Sequence, residues 1–271
     1  MSKKTIVEFS RYPVAFVALF AQIFLIILMF LFAAIAFAPP PDPSGQGANL
    51  GRQIAGVMIY GFVLNIFLSF TLWEIGFSIR EEQARGTLES LYLTPASKFA
   101  SLLSRIFAIL IFTSVFCIFG VLMVSFLVGG LAFQNVGLAM VVLMFSISGF
   151  LGIGFIFAGI SIRLKESAQF LVSGFQFFFM IFSAQFFPFS SLRAVHPAIV
   201  DYVSRWLPVS YSVDAFRSLL IGMPEGYPEL APLGVEIAVV VAFGIASPIV
   251  GYLVYKWVER RARKDGNLGE F

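Results

Sequence analysis

Arg80-Glu81-Glu82-Gln83-Ala84-Arg85-Gly86-Thr87-Leu88-Glu89-Ser90-Leu91-Tyr92-Leu93-Thr94-Pro95 is a charged interruption between two long apolar runs. Read as helix, Ala84, Leu88, Leu91 and Tyr92 fall at i, i+4, i+7 and i+8 and form one apolar face. Glu81, Glu82, Arg85 and Glu89 take the opposite face, with Glu81–Arg85 and Arg85–Glu89 spaced as i,i+4 ion pairs. Gly86 is the weak point, since glycine costs about 1 kcal/mol relative to alanine inside a helix. The stretch therefore divides: one helix stops at Gly86, and a second starts with Thr87 as its N-cap. Pro95 ends the short helix, and Thr94 caps the next long one with Pro95 in its first turn. By periodicity alone this is a capped connector with solvated charges.

What it connects follows from composition. The 271 residues are 59% hydrophobic and 12% charged, with a mean hydropathy of +0.92. Soluble domains carry about 25% charge, so the chain is expected to be an all-α integral membrane protein. A helix needs about 20 residues to cross the hydrocarbon core. Six runs qualify, roughly 13–38, 54–79, 101–128, 136–162, 168–187 and 233–257. Helices are expected because each backbone polar group must be satisfied within the bilayer, and no alternating strand pattern points to a barrel. The first run is too long for the apolar core of a signal peptide and has no convincing cleavage pattern.

The connections differ in character. Residues 1–12 place Ile6, Phe9 and Tyr12 at spacings of three, which suits either a surface-lying helix or a plain tail. Pro39, Pro40, Pro41 and Pro43 mark a loop after the first span. The segment 188–232 is the longest connection. Pro197 and Pro208 mark helix starts and Gly222 a stop, giving two short interfacial or re-entrant helices, about 198–206 and 209–221. Charge sets the orientation. With the N-terminus inside, only Arg52, Arg193, Arg205 and Arg217 of the 18 Lys and Arg fall on the outer side. Both termini and the opening stretch are then cytoplasmic. Asp42, Asp201, Asp214, Glu225 and Glu229 fall outside and are read as exposed.

Chemistry-bearing patterns are sparse. One Cys (Cys117) and one His (His196) give neither a zinc set nor a disulfide framework, so no metal site is expected. No Gly-x4-Gly-Lys-Ser/Thr phosphate loop is present, so ATP hydrolysis is not expected of this chain. An intramembrane enzyme would need a catalytic constellation at depth, and none is visible. Polar residues inside spans are costly and face a partner helix, the bundle interior or water. Asn65, Ser69, Gln169 and Gln176 are the candidates for a translocation path, although interhelical hydrogen bonding is the favoured reading for Asn65 and Gln176. Ser148/Gly152 and Gly154/Ala158 permit close helix packing, within a subunit or between subunits. Phe170, Phe175, Phe177, Phe178 and Phe179 suit packing or contact with an amphipathic cargo.

The series Glu81, Glu82, Arg85, Gly86, Thr87, Leu88, Glu89, Leu91, Thr94 and Pro95, at this fixed spacing, resembles the signature loop of ABC-2 type transporter permeases. These are the membrane subunits of ATP-binding-cassette exporters. The segment from Leu207 to Arg217, with Pro208, Tyr211, Asp214 and Arg217, then Gly222, resembles the region before that family's last span, and Phe187-Pro188 resembles its entry. Leu207 stands where members often have Asn. The resemblance covers nearly the whole chain in span count and order. It implies a single transmembrane domain over 1–271, with a cytoplasmic coupling helix within 80–95 and an extracytoplasmic re-entrant region at 188–232. It further implies a second permease subunit, identical or different, and a separate ATPase subunit that binds ATP and Mg. This chain would bind no cofactor and no nucleic acid, and membrane lipids would surround it. The expected role is export of a drug, lipid or glycan across the cell's inner membrane. An ATPase-independent channel or ion-coupled carrier is the alternative, and it would call for charged pairs or broken helices at mid-membrane.

Overall fold

The computed structural model describes residues 46–84, 98–164 and 167–264, together with helical positions 21, 24–26, 28, 29 and 32. Among these residues there is helix and turn and no strand. Eight α-helices follow in order: α1 (Gln46–Ala84), α2 (Lys98–Val128), α3 (Val136–Leu164), α4 (Ala168–Phe182), α5 (Phe189–Val195), α6 (Pro197–Tyr202), α7 (Pro208–Ile221) and α8 (Leu233–Lys264). A 3-10 turn, Ser204–Trp206, links α6 to α7.

Among the described residues, three helices contain stretches long and apolar enough to cross a membrane: Gly51–Ile75, Val136–Ser161 and Leu233–Arg261. Their surroundings differ sharply. The apolar window of α1 is 78% buried within the protein, whereas that of α8 is 17% buried. α1 is thus the central helix, with Ile59, Leu64, Phe67, Leu68 and Leu72 fully enclosed. α8 turns Ile245, Ile249, Val250, Leu253 and Trp257 outward. α1 runs 39 residues, about 58 Å at 1.5 Å per residue, far more than the ~30 Å hydrocarbon core. Near the N-terminus, Ile26 and Leu28 pack on the core while Leu25, Met29 and Phe32 face out.

The small residues of α3 are settled within one chain. α3 crosses α8 so closely that a Cβ on Gly152 would lie 2.1 Å from the Ser247 carbonyl carbon, and one on Gly251 2.2 Å from the Gly152 oxygen. Two hydroxyls fasten the crossing: Ser148 Oγ donates to the Gly244 carbonyl at 2.7 Å, and Ser247 Oγ to the Gly149 carbonyl at 2.8 Å. The first bond has a definite cause. Pro248 lies inside α8 and lacks the amide that would reach the carbonyl four residues back, which is Gly244. Ser148 supplies the missing donor from the neighbouring helix, as freed backbone groups in membrane helices require. Gly154 instead faces Thr71 and Ile75 of α1.

Two expectations are corrected. The fifth run, read as a span over 168–187, forms a helix only to Phe182. Its 15 residues reach about 22 Å, short of the bilayer core, and 183–187 turn instead. The segment 188–232 holds three α-helices and a 3-10 turn rather than two helices. Pro197 and Pro208 do stand in the first turns of α6 and α7, and Gly222 closes α7 in the left-handed conformation (φ 87°). The unexpected helix, α5, begins directly after Pro188.

Candidate functional site

The described residues bring candidates of the 188–232 segment together around α7. Every residue of α7 from Val209 to Ile221 is buried except Tyr211, including three serines, Asp214 and Arg217. Asp214 and Arg217 have no solvent exposure, and the Glu229 side chain retains only 6%. The reading of Asp214 and Glu229 as exposed outer acids is therefore wrong: both are charge partners of a buried arginine.

Arg217 spends all five guanidinium donors. Nε and Nη2 donate to Asp214 Oδ1 at 3.2 and 3.1 Å, and Nη2 also donates to Glu229 Oε2 at 2.7 Å. Nη1 donates to the carbonyls of Ala184 and Phe187 at 3.3 and 3.0 Å. The guanidinium also lies over the rings of Phe189 and Tyr227, 4.9 and 5.9 Å from their centroids. Burial, reinforced by the Glu229 carboxylate, pushes the Tyr227 phenol up to about 12, so that ring stays neutral beside the cation.

The two carboxylates extend the cluster into backbone. Asp214 Oδ2 accepts the amides of Glu229 and Leu230 at 2.7 and 2.8 Å. Glu229 accepts the amides of Phe189 and Ser190 at 2.5 and 2.9 Å, which are the first two of α5. Those amides have no partner inside the helix, and Pro188 before them has no side-chain acceptor to offer. One residue of α7 thus joins the end of α4, the start of α5 and the strap before α8. Glu236, fully buried in the first turn of α8, accepts the Ala231 amide at 3.2 Å and completes the strap.

The same cluster explains why α4 stops. Ala184 adopts a positive φ of 48°, which costs an ordinary residue about 1 kcal/mol or more. Arg217 takes its carbonyl, and the turn then passes α1 at Gly61, where a Cβ would meet the Gln185 oxygen at 2.0 Å. Gly61 was missed in the sequence because its surroundings are uniformly apolar.

The mid-span polar residues form a second, neutral set. Asn65, Ser69 and Trp73 succeed one another at i, i+4 and i+8 on α1. Asn65 Nδ2 donates to Gln185 Oε1 at 2.5 Å. Gln176 of α4 donates from Nε2 to Ser69 Oγ at 2.9 Å and accepts from Trp73 Nε1 at 2.7 Å. Three of the four path candidates therefore hold α1 to α4 and its following turn, while Gln169 is exposed. On α4, Phe170, Phe175 and Phe177 are exposed, and Phe175, Phe178, Phe179 and Phe182 form a run of touching rings.

Among the described residues no group of three or more His, Cys, Asp or Glu has the arrangement of a metal site. Glu81 and Glu82 fall in the last turn of α1. Arg85, Gly86, Thr87, Leu88, Glu89, Leu91, Thr94 and Pro95 lie outside the described residues, as does the 1–12 segment.

A family model described as ABC-2 family transporter protein matches residues 39–252. The chain belongs to that family. The match runs from Pro39 into α8, and so includes both the elbow and the Arg217 cluster. A search of curated proteins and a search of solved structures each found no match. ABC-2 family membership makes this a membrane transport domain, with an ABC ATPase subunit as the partner that the family implies.

Proposed function

We infer that this chain is the permease subunit of an ATP-binding-cassette exporter, carrying an amphipathic cargo (drug, lipid or glycan) across the inner membrane. The observation that carries the reading is the ABC-2 family match over 39–252, which takes in the Arg80–Pro95 elbow. In this reading six segments cross the bilayer, the fifth as α4 continued by the largely buried 183–187 turn, with both termini cytoplasmic. The capped helix around Thr87–Leu93 docks on a separate ATPase subunit, with Glu81, Glu82, Arg85 and Glu89 on its polar side. ATP and Mg belong to that partner, in keeping with a sequence that has no phosphate loop. A second permease subunit, a copy of this chain or a relative, completes the pathway.

Two features support a division between a moving and a fixed part. α1 continues as one helix to Ala84, so a push at the elbow is delivered along the central helix. The Arg217 cluster ties the outer short helices into one unit that gives such a push something to act against. Exposed Tyr202 and Trp206 on those outer elements suit the aromatic belt at a membrane surface. Gln169 and the outward phenylalanines of α4 are the places where cargo is expected to touch this chain.

The test is affinity purification of the full chain from its native membranes. The reading expects an ATP-binding-cassette subunit to co-purify and ATP turnover to appear with that complex. Cargo movement in vesicles holding this chain alone, with no ATP, would instead favour an ATPase-independent carrier.

A further inference from the structure

At the end of α1 remote from the elbow, the protein carries a cavity of about 540 Å³. Arg52 and Gln53 of α1, Gly130, Leu131 and Gln134 of the α2–α3 connection, and Ile221 at the end of α7 line it. The wall is fixed. The Gly130 amide donates to the Ser125 carbonyl at 2.7 Å, the Leu131 amide to Ser125 Oγ at 3.0 Å and the Gln134 amide to the Leu220 carbonyl at 3.0 Å. The Tyr60 hydroxyl holds the Ala132 carbonyl from below. Gly129 and Gly130 have φ values of 77° and 106°, and nothing lies within 4 Å of where their side chains would project. Gly129 and Gly130, the exposed Gln53 and Gln134 and the exposed Arg52 therefore line one open space.

The charge inventory selects the ligand. Arg52 is the only charged group in the lining and is exposed, with no ion pair among the described residues. Leu131 and Ile221 supply an apolar side, and Phe126, Leu127, Phe133 and Val136, within a few residues of the lining in the chain, are exposed. A free metabolite would gain nothing from those side chains, whereas an acyl or other apolar tail would cover them. We propose that this cavity binds the anionic, phosphate-bearing headgroup of a membrane amphiphile, with Arg52 on the anion, Gln53 and Gln134 on its polar substituents, and the tail along exposed Phe126 and Phe133. The ligand is either a resident phospholipid or a cargo of the same chemistry. Arginine suits this role because its planar fork meets phosphate oxygens in pairs.

The test is native mass spectrometry of the full chain in detergent, titrated with phosphatidylglycerol, phosphatidylcholine or inorganic phosphate. Native protein is expected to retain phosphatidylglycerol over phosphatidylcholine. Arg52→Gln should lower that preference about tenfold, the scale of one charged hydrogen-bonding contact. Arg52→Lys should keep part of it, and Gln53→Glu, which adds a like charge at an exposed position, should lower it as well. Equal retention of the two lipids, or a preference unchanged in both Arg52→Gln and Gln53→Glu, overturns the proposal. Displacement of phosphatidylglycerol by inorganic phosphate alone also overturns it, by assigning the cavity to free phosphate. ATP-driven transport of phosphatidylglycerol that falls with Arg52→Gln identifies the ligand as cargo, and retention without transport identifies it as a resident lipid. Both outcomes uphold the site.

Discussion

The Arg217 cluster and the α1–α4 seam are both polar contacts in an apolar protein, and they are built from different chemistry. The seam joins α1 to α4 and its following turn through neutral side chains, Gln176 with Ser69 and Trp73, and Asn65 with Gln185. The cluster sits where the chain breaks into α5, α6, a 3-10 turn and α7, so carbonyls and amides at several helix ends need partners. A guanidinium with five donors and two carboxylates meets that demand at one point. In the cluster, charge meets backbone left open at helix ends; in the seam, neutral side chains meet one another.

Substitutions can break that contrast. Arg217→Met strands Asp214 and Glu229 without their cation, and removal of one partner of a buried pair costs about 3–5 kcal/mol. Denaturant unfolding of the purified protein should show the largest loss here. Arg217→Lys should recover little of it, because three donors cannot replace five. Gly61→Val tests the point where the two regions meet. Its side chain collides with the Gln185 carbonyl, and overpacking of this kind costs about 1–3 kcal/mol in the same assay. Asn65→Leu should cost least, about 0.6 kcal/mol, the mean for a hydrogen bond between membrane helices. If Asn65→Leu proves as damaging as Arg217→Met, the contrast fails. If Asn65→Leu leaves stability intact but impairs cargo efflux, the seam belongs to the pathway as well as to the packing.

How much of this could be read from the residues follows the same division. Pro197, Pro208 and Gly222 punctuate the chain locally, so the starts of α6 and α7 and the end of α7 were legible. The end of α4 was not, because the apolar run continues to Phe187 and the left-handed residue is Ala184, not a glycine. That stop is imposed from a distance by Arg217 and by the close pass at Gly61. The polar residues could be picked out singly, but Arg217 meets residues 12, 30 and 33 positions away, and no local period encodes such pairing. Pro248 with Ser148 is the same kind of case, since only the folded crossing shows which hydroxyl serves the freed carbonyl. The elbow rests on motif spacing and the family match, and α1 is described as far as Ala84.

The elbow is also where the central claim is most open to contradiction. Glu82→Lys and Arg85→Glu each reverse one charge on its polar side and leave every apolar position untouched. The decisive measurement is ATP-driven cargo efflux from vesicles carrying the permease–ATPase complex, compared between native protein and these two variants at equal membrane insertion. A coupling role predicts that efflux collapses in both variants while the protein remains inserted. Efflux at the native rate would contradict it.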